Sequence, residues 1–130
     1  MAQTTSELST NIKGKHAELL VQTAFMANGY EVSEPISPQP YDLVVRRGND
    51  DVRLVQVKTA FLRDEKRYGG KYVVVRGHKS NKDVYTRNEV DLFAAVWDGE
   101  VYIFPNREVS EYWCRPEELT KKWRKISLEI

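Results

Sequence analysis

At 130 residues, with 41% hydrophobic and 30% charged side chains, the chain suits one domain with a real core and has the composition of an ordinary globular protein. No apolar run approaches the ~18 residues of a membrane span, and the polar start "MAQTTSELST" has no signal-peptide region, so a soluble, cytoplasmic protein is expected. A net charge of +1 announces no nucleic-acid binder, and the single cysteine, Cys114, excludes an internal disulfide and reads as a buried small hydrophobe.

Residues 1–10 read as a flexible N-terminus and residues 11–130 as a single domain. Ala17, Leu20, Val21, Ala24 and Phe25 recur at the spacing of an amphipathic helix, with Thr10 or Asn11 as its cap and Asn28-Gly29 as its end. "YEV" then reads as a short strand, and "SEPISPQP", with three prolines, as a loop or edge segment. "YDLVVRR" and "VRLVQVKTA" form a hairpin through the turn "GNDD", which sets Asp42 opposite Val55 or Gln56. A further strand, "KYVVVRG", precedes a second hairpin, "VDLFAAVW" and "VYIFP", around Asp98-Gly99. The tail, acidic at "RPEEL" and basic at "KKWRK", suits a short helix. One helix on a mixed sheet of five or six strands makes an α/β or α+β sandwich.

Between Leu62 and Lys82 seven basic residues (Arg63, Lys66, Arg67, Lys71, Arg76, Lys79 and Lys82) face only Asp64 and Glu65, a local excess of five positive charges. Together with Lys15 and His78 they are the candidate phosphate contacts. "KKWRK" adds four more charges around Trp123, whose ring could offer a stacking face, although Trp97, Trp113 and Trp123 read first as core or subunit-interface residues. Tyr68, Tyr72 and Tyr85 interleave with the basic residues, and Asp91 reads as a strand-start cap. His16 and His78 are too few and too isolated to build a zinc site.

The centre of "VRLVQVKTA" departs from a core strand. Period-two alternation puts Gln56 and Lys58 on one face with Val52 and Leu54, and a lysine among apolar neighbours needs a carboxylate or a polar cavity. Asp42 is the partner that the hairpin supplies, and Glu18, on the border of the helix's apolar stripe, faces the rim of the same region. Gly14, one turn earlier, leaves the helix backbone open to a close neighbour. Two readings of these residues stand side by side. One is a structural Asp42–Lys58 salt bridge with Gln56 bonded to backbone and Glu18 solvated. The other is a Mg²⁺ site for phosphodiester hydrolysis, in which Glu18, Asp42 and Gln56 supply hard oxygen ligands and Lys58 offsets developing charge on phosphate.

The order of these motifs, "GKHAELL" with Glu18, "PQPYDLVV" with Asp42 and "LVQVKTA" with Gln56 and Lys58, resembles the PD-(D/E)XK nuclease superfamily. With "GYEV" after the first helix and the "VDLFAAVW"/"VYIFP" hairpin, it is most similar to the group I intron-associated homing endonucleases, over about Gly14 to Pro105. Archaeal-type Holliday-junction resolvases resemble it over the first three motifs.

The resemblance implies a restriction-endonuclease-like mixed sheet with the N-terminal helix packed on it. It implies an active site of Glu18, Asp42, Gln56 and Lys58 that uses Mg²⁺, with Mn²⁺ substituting, on double-stranded or branched DNA. A homodimer or homotetramer is expected, since a duplex has two strands to cut. A catalytically silent DNA-binding protein with the same fold is the alternative. Gln56 stands where most of the superfamily has an acid, which implies weaker metal binding.

Overall fold

The computed structural model describes residues 5–130, with side chains from Thr10 onward; the first four residues of the expected flexible N-terminus lie outside the described residues. Helix α1 (Thr5–Ala27) starts before the expected cap, so Thr10 and Asn11 are helical. Its stripe is the one expected: Ala17, Val21, Ala24 and Phe25 are buried, with Leu20 packed beside them. Asn28-Gly29 ends it, Gly29 taking a left-handed φ of 86° while Tyr30 N–H returns to Phe25 O at 3.0 Å. Among the described residues no helix is long and apolar enough to cross a membrane.

The strands that follow are β1 (Glu31–Ser33), β2 (Leu43–Arg47), β3 (Asp51–Thr59), β4 (Phe61–Glu65), β5 (Gly70–Arg76), β6 (Leu92–Trp97), β7 (Glu100–Pro105), β8 (Glu111–Cys114) and β9 (Arg124–Ile126). They form a six-stranded sheet, β1-β2-β3-β6-β7-β9, and a separate three-stranded sheet, β4-β5-β8. Among the described strands only the β3–β6 pair is parallel; the other pairs are antiparallel. Both expected hairpins form, the second through Asp98 and Gly99 with φ of 52° and 73°. Where a tail helix was expected there is one turn, α2 (Leu119–Lys122), and then β9.

The single large sheet foreseen from the sequence is divided because the chain turns from β3 into β4 at Ala60. This small residue is buried, and its N–H bonds Val96 O at 3.0 Å. The small sheet then covers one face of the large one while α1 covers the other, giving three layers and two cores. On the helix side, Val55, Val57, Leu43, Val45, Ala94 and Val96 meet the α1 stripe. On the small-sheet side, Phe93, Ala95, Tyr102 and Phe104 meet Val73, Val75, Tyr112 and the buried Cys114. Trp123 belongs to this second core, as its size suggests, stacked on Phe104 at 4.7 Å and 4% exposed, which excludes the alternative of a surface stacking face.

Two features hold the layers in register. Asn106, the buried polar residue of the molecule's interior, donates to Tyr85 O (2.9 Å), Val90 O (3.0 Å) and Thr86 O (3.2 Å), while its Oδ1 accepts from Glu108 N–H and Tyr112 O–H. At Gly77 the chain passes so close to β8 that a Cβ would lie 2.5 Å from Val109 O and 2.7 Å from the Tyr112 ring.

Candidate active site

Asp42 sits one residue before β2, at the point where this strand parts from β3. Its N–H donates to Val55 O at 2.8 Å, the pairing expected from the turn. Its Oδ2 accepts from Val57 N–H at 2.9 Å, so a side chain replaces a ladder carbonyl. Asp91 does the same on the other edge of β3, accepting from Leu54 N–H at 2.7 Å, and is the strand-start cap that the sequence suggested. Asp42 Oδ1 has no hydrogen bond among the described residues.

Asp42 and Glu18 line one cleft of about 400 Å³, together with Gly14, Lys15, Ala17, Val57 and Thr59. A Cβ at Gly14 would meet nothing within 4 Å, so the close neighbour expected there is absent among the described residues and this side of the helix is open to the cleft. Glu18 is half-buried and lies 3.8 Å from the exposed Lys15 ammonium. A second, adjoining recess is walled by Glu18, Asp42, Tyr41 and the proline-rich loop that carries Glu34, Ser37 and Gln39. The sequence reading did not single out these loop residues; three prolines immediately before "YDLVV" were the available signal.

Gln56 and Lys58 lie on the opposite face of β3 from α1, their register partners on β6 being Phe93 and Ala95. Gln56 falls beside Asp42, one step beyond the Leu43–Val55 pair, and its Nε2 makes a long 3.5 Å bond to Val57 O, leaving the carboxamide oxygen for another partner. Lys58 Nζ donates to His78 O at 3.4 Å and stands 5.2 Å above the Tyr85 ring. The structure therefore brings Glu18 and Asp42 into one cleft, with Gln56 and Lys58 reached from the far face of the strand and not among the cleft's walls.

A structural salt bridge would put Lys58 Nζ within 4 Å of Asp42. Among the described residues no such pair forms, although the two groups feel each other's charge. Both are half-buried. Burial raises the Asp42 carboxyl above the usual carboxylate range, against the Val57 hydrogen bond and the Lys58 charge, which lower it. Burial likewise lowers the Lys58 ammonium, against Asp42, and the nearby Arg76 guanidinium lowers it further. Two opposite charges kept apart in a partly desolvated position are costly for stability and are the arrangement expected of a working site.

The candidate phosphate contacts divide. Lys15 lines the cleft, while Arg76, His78 and Lys79 cluster around Lys58, with Lys79 ion-paired to Glu89 at 2.6 Å. Lys66, Arg67 and Lys71 are exposed near the tip of the β4–β5 hairpin, roughly 17 Å along β5 from Arg76. Lys82 is exposed in the turn after Lys79. Arg63 is committed elsewhere: its guanidinium makes a bidentate pair with Glu111 (2.8 and 2.9 Å), a bond to Glu65 (2.6 Å) and a stack on Trp113. Its donors brace the small sheet.

A larger cavity, about 550 Å³, opens at the other end of β3 between Asp50–Arg53, Asp91 and Arg124. Asp51 there is bonded to Arg53 and Asp91 to Leu54 N–H, while Asp50 is an exposed turn residue at its rim. The smaller cleft gathers two half-buried carboxylates, one with an oxygen that has no hydrogen bond among the described residues, and that chemistry fits a hard divalent cation; the Gln56 carboxamide lies beside Asp42 but on the far face of β3.

A search of curated proteins finds no significant match. Among solved structures, the fold is similar to that of a bacterial homing endonuclease, I-Ssp6803I, with a TM-score of 0.61 and 22% sequence identity over 82% of this chain and 75% of that one. The sequence profile of the PD-(D/E)XK endonuclease family matches residues 8–118. On that match, which spans most of its length, the chain belongs to the PD-(D/E)XK endonuclease family.

Proposed function

We propose that this endonuclease cuts phosphodiester bonds of duplex DNA at a specific site, in the manner of a homing enzyme, using Mg²⁺ with Mn²⁺ as a substitute. The observation that carries the reading is the shared cleft of Glu18 and Asp42, with Lys58 electrostatically coupled to Asp42 yet not neutralised by it. Glu18 and Asp42 would hold the ion from within the cleft, and the Gln56 carboxamide oxygen, beside Asp42 on the far face of β3, is the third candidate ligand. When bound, it supplies Lewis-acid stabilisation of charge that develops on the scissile phosphate.

The chain's own groups do the positioning. Val57 N–H fixes one Asp42 oxygen and so orients the other. His78 O and the Tyr85 ring hold the Lys58 ammonium, which has donors left for a phosphate oxygen or the attacking water. Lys15 and Arg76 flank the site as phosphate contacts. Self-association into a dimer or tetramer would present one site to each strand.

Incubating the protein with supercoiled plasmid libraries and Mg²⁺ or Mn²⁺ tests this. The expected result is discrete cutting that Lys58→Ala or Asp42→Asn reduces by about 10²-fold or more, with duplex affinity retained. Cleavage confined to four-way junctions would make the protein a resolvase. Inactivity on duplex, nicked and branched DNA with either ion would make it a silent DNA-binding member of the family.

A further inference from the structure

Between β1 and the active-site Asp42 runs the loop Glu34-Pro35-Ile36-Ser37-Pro38-Gln39-Pro40. It has no regular secondary structure, yet it is stiff. Each proline fixes its own φ, and each restricts the residue before it. Six of these seven residues are therefore restricted, and Ile36 alone is not. One end of the loop is tied to α1, where Glu34 Oε1 accepts from Gln22 Nε2 at 2.6 Å, and within the loop Gln39 Nε2 donates to Ser37 Oγ at 3.2 Å.

Ile36 is fully exposed, with a relative accessibility of 106%. Single exposed apolar side chains are ordinary. What distinguishes this one is its setting, because its loop walls the same recess as Glu18 and Asp42. A β-branched side chain held in water on a preorganised loop loses little further entropy on contact. The shared recess places this loop beside any phosphate held at Glu18 and Asp42, within reach of the adjoining sugars and bases.

We propose that the Glu34–Pro40 loop is a preformed DNA-contacting element that seats Ile36 as an apolar wedge in a groove of the duplex, next to the phosphate being cut. This rests on the endonuclease reading above. Apolar wedges of this kind press between base steps or against sugar faces and carry no phosphate contact, so their contribution is insensitive to salt.

The test measures affinity for a pool of short randomised-sequence duplexes across a salt series, with Ca²⁺ in place of Mg²⁺, alongside cleavage with Mg²⁺ and sedimentation of each variant. Ile36→Ala should weaken binding about tenfold with an unchanged salt slope and an unchanged melting temperature, and Ile36→Leu should restore most of the affinity. Lys15→Ala, by contrast, should lower the salt slope by about one. Wild-type affinity and cleavage in Ile36→Ala would overturn the wedge while leaving the endonuclease reading intact. Dissociation of a wild-type oligomer by Ile36→Ala would overturn it in favour of a contact between copies. Failure of the wild-type protein to bind or cut any duplex would remove the endonuclease reading, and the wedge with it.

Discussion

Asn106→Ala is expected to be among the most damaging single substitutions outside the carboxylate cleft. Its Nδ2 serves three carbonyls, of which the bonds to Tyr85 O and Val90 O are buried, and its Oδ1 serves Glu108 N–H and Tyr112 O–H. Removing the amide leaves two buried carbonyls without a donor, and an unsatisfied buried polar group costs about 1–3 kcal/mol. The Tyr112 hydroxyl keeps its bond from Arg107 N–H, so its loss adds little. Two carbonyls alone set a destabilisation of about 2–6 kcal/mol, readable as a shift of the urea midpoint at constant slope. The damage has a functional direction too. Tyr85 heads the segment that Asn106 pins, and its ring underlies the Lys58 ammonium. Cleavage by the folded fraction should therefore fall more than duplex affinity does. A loss below about 1 kcal/mol would show that water or a rearranged loop satisfies the carbonyls, and the idea of Asn106 as the clamp between layers would fail.

Gly77→Ala forces a Cβ against Val109 O and the Tyr112 ring, a backbone atom and a side chain held by two hydrogen bonds, so a loss of about 1–3 kcal/mol or more is expected in thermal melts. Gly14→Ala is the opposite case: its site is open and helical, and a gain of about 0.5–1 kcal/mol should appear in the same melts. Glu111 carries a pH signature. The Arg63 hydrogen bonds hold its carboxyl at about 2, well below the usual carboxylate value, with Trp113 N–H assisting. Its folded form therefore binds fewer protons than the unfolded chain between pH about 4.5 and about 2, so this contribution to stability is complete above the window and lost as pH falls through it. Glu111→Gln should be less stable at neutral pH and lose less on acidification. Parallel acid-denaturation curves for the two proteins would show that the Arg63 pair does not control the carboxyl.

Much of the fold was legible because it is written in local signals. The α1 stripe, the two hairpins and their glycine-containing turns need only residues a few positions apart. β4, "FLRDE", was not, since it sets only Phe61 and Leu62 among three charges, and the Arg63–Glu111 pair that braces it spans 48 residues. Trp123 reads as a core or interface residue from its size alone, but spacing could not reveal that Phe104 is its partner. The division into two sheets depends on Ala60, whose smallness says nothing until β6 is beside it. In the site, the approach of Glu18 to Asp42 was foreseen, whereas the placement of Lys58 toward His78 and Tyr85 was not, because both of those come from a loop with no periodic pattern.

The position of Asp42 follows from backbone hydrogen bonding. Residues 55 and 57 of β3 direct their polar groups toward β2, and residue 54 directs its own toward β6. If β2 extended upstream of Asp42, its backbone would pair with β3 and close the cleft above Val57 and Thr59. Pro40 and Pro38 prevent this, since neither has an N–H to offer a ladder. Val57 N–H would then be left without an acceptor in a half-buried place, and the Asp42 side chain fills that need. The same hydrogen bond that ends the sheet therefore fixes the carboxylate at the fork between the strands, where α1 can bring Glu18 to it from one side and β3 can bring Lys58 to bear from the other. An amide at position 42 could also accept from Val57, so Asp42→Asn should keep the fork and lose only the charge. Removal of the acceptor altogether should loosen the strand end as well.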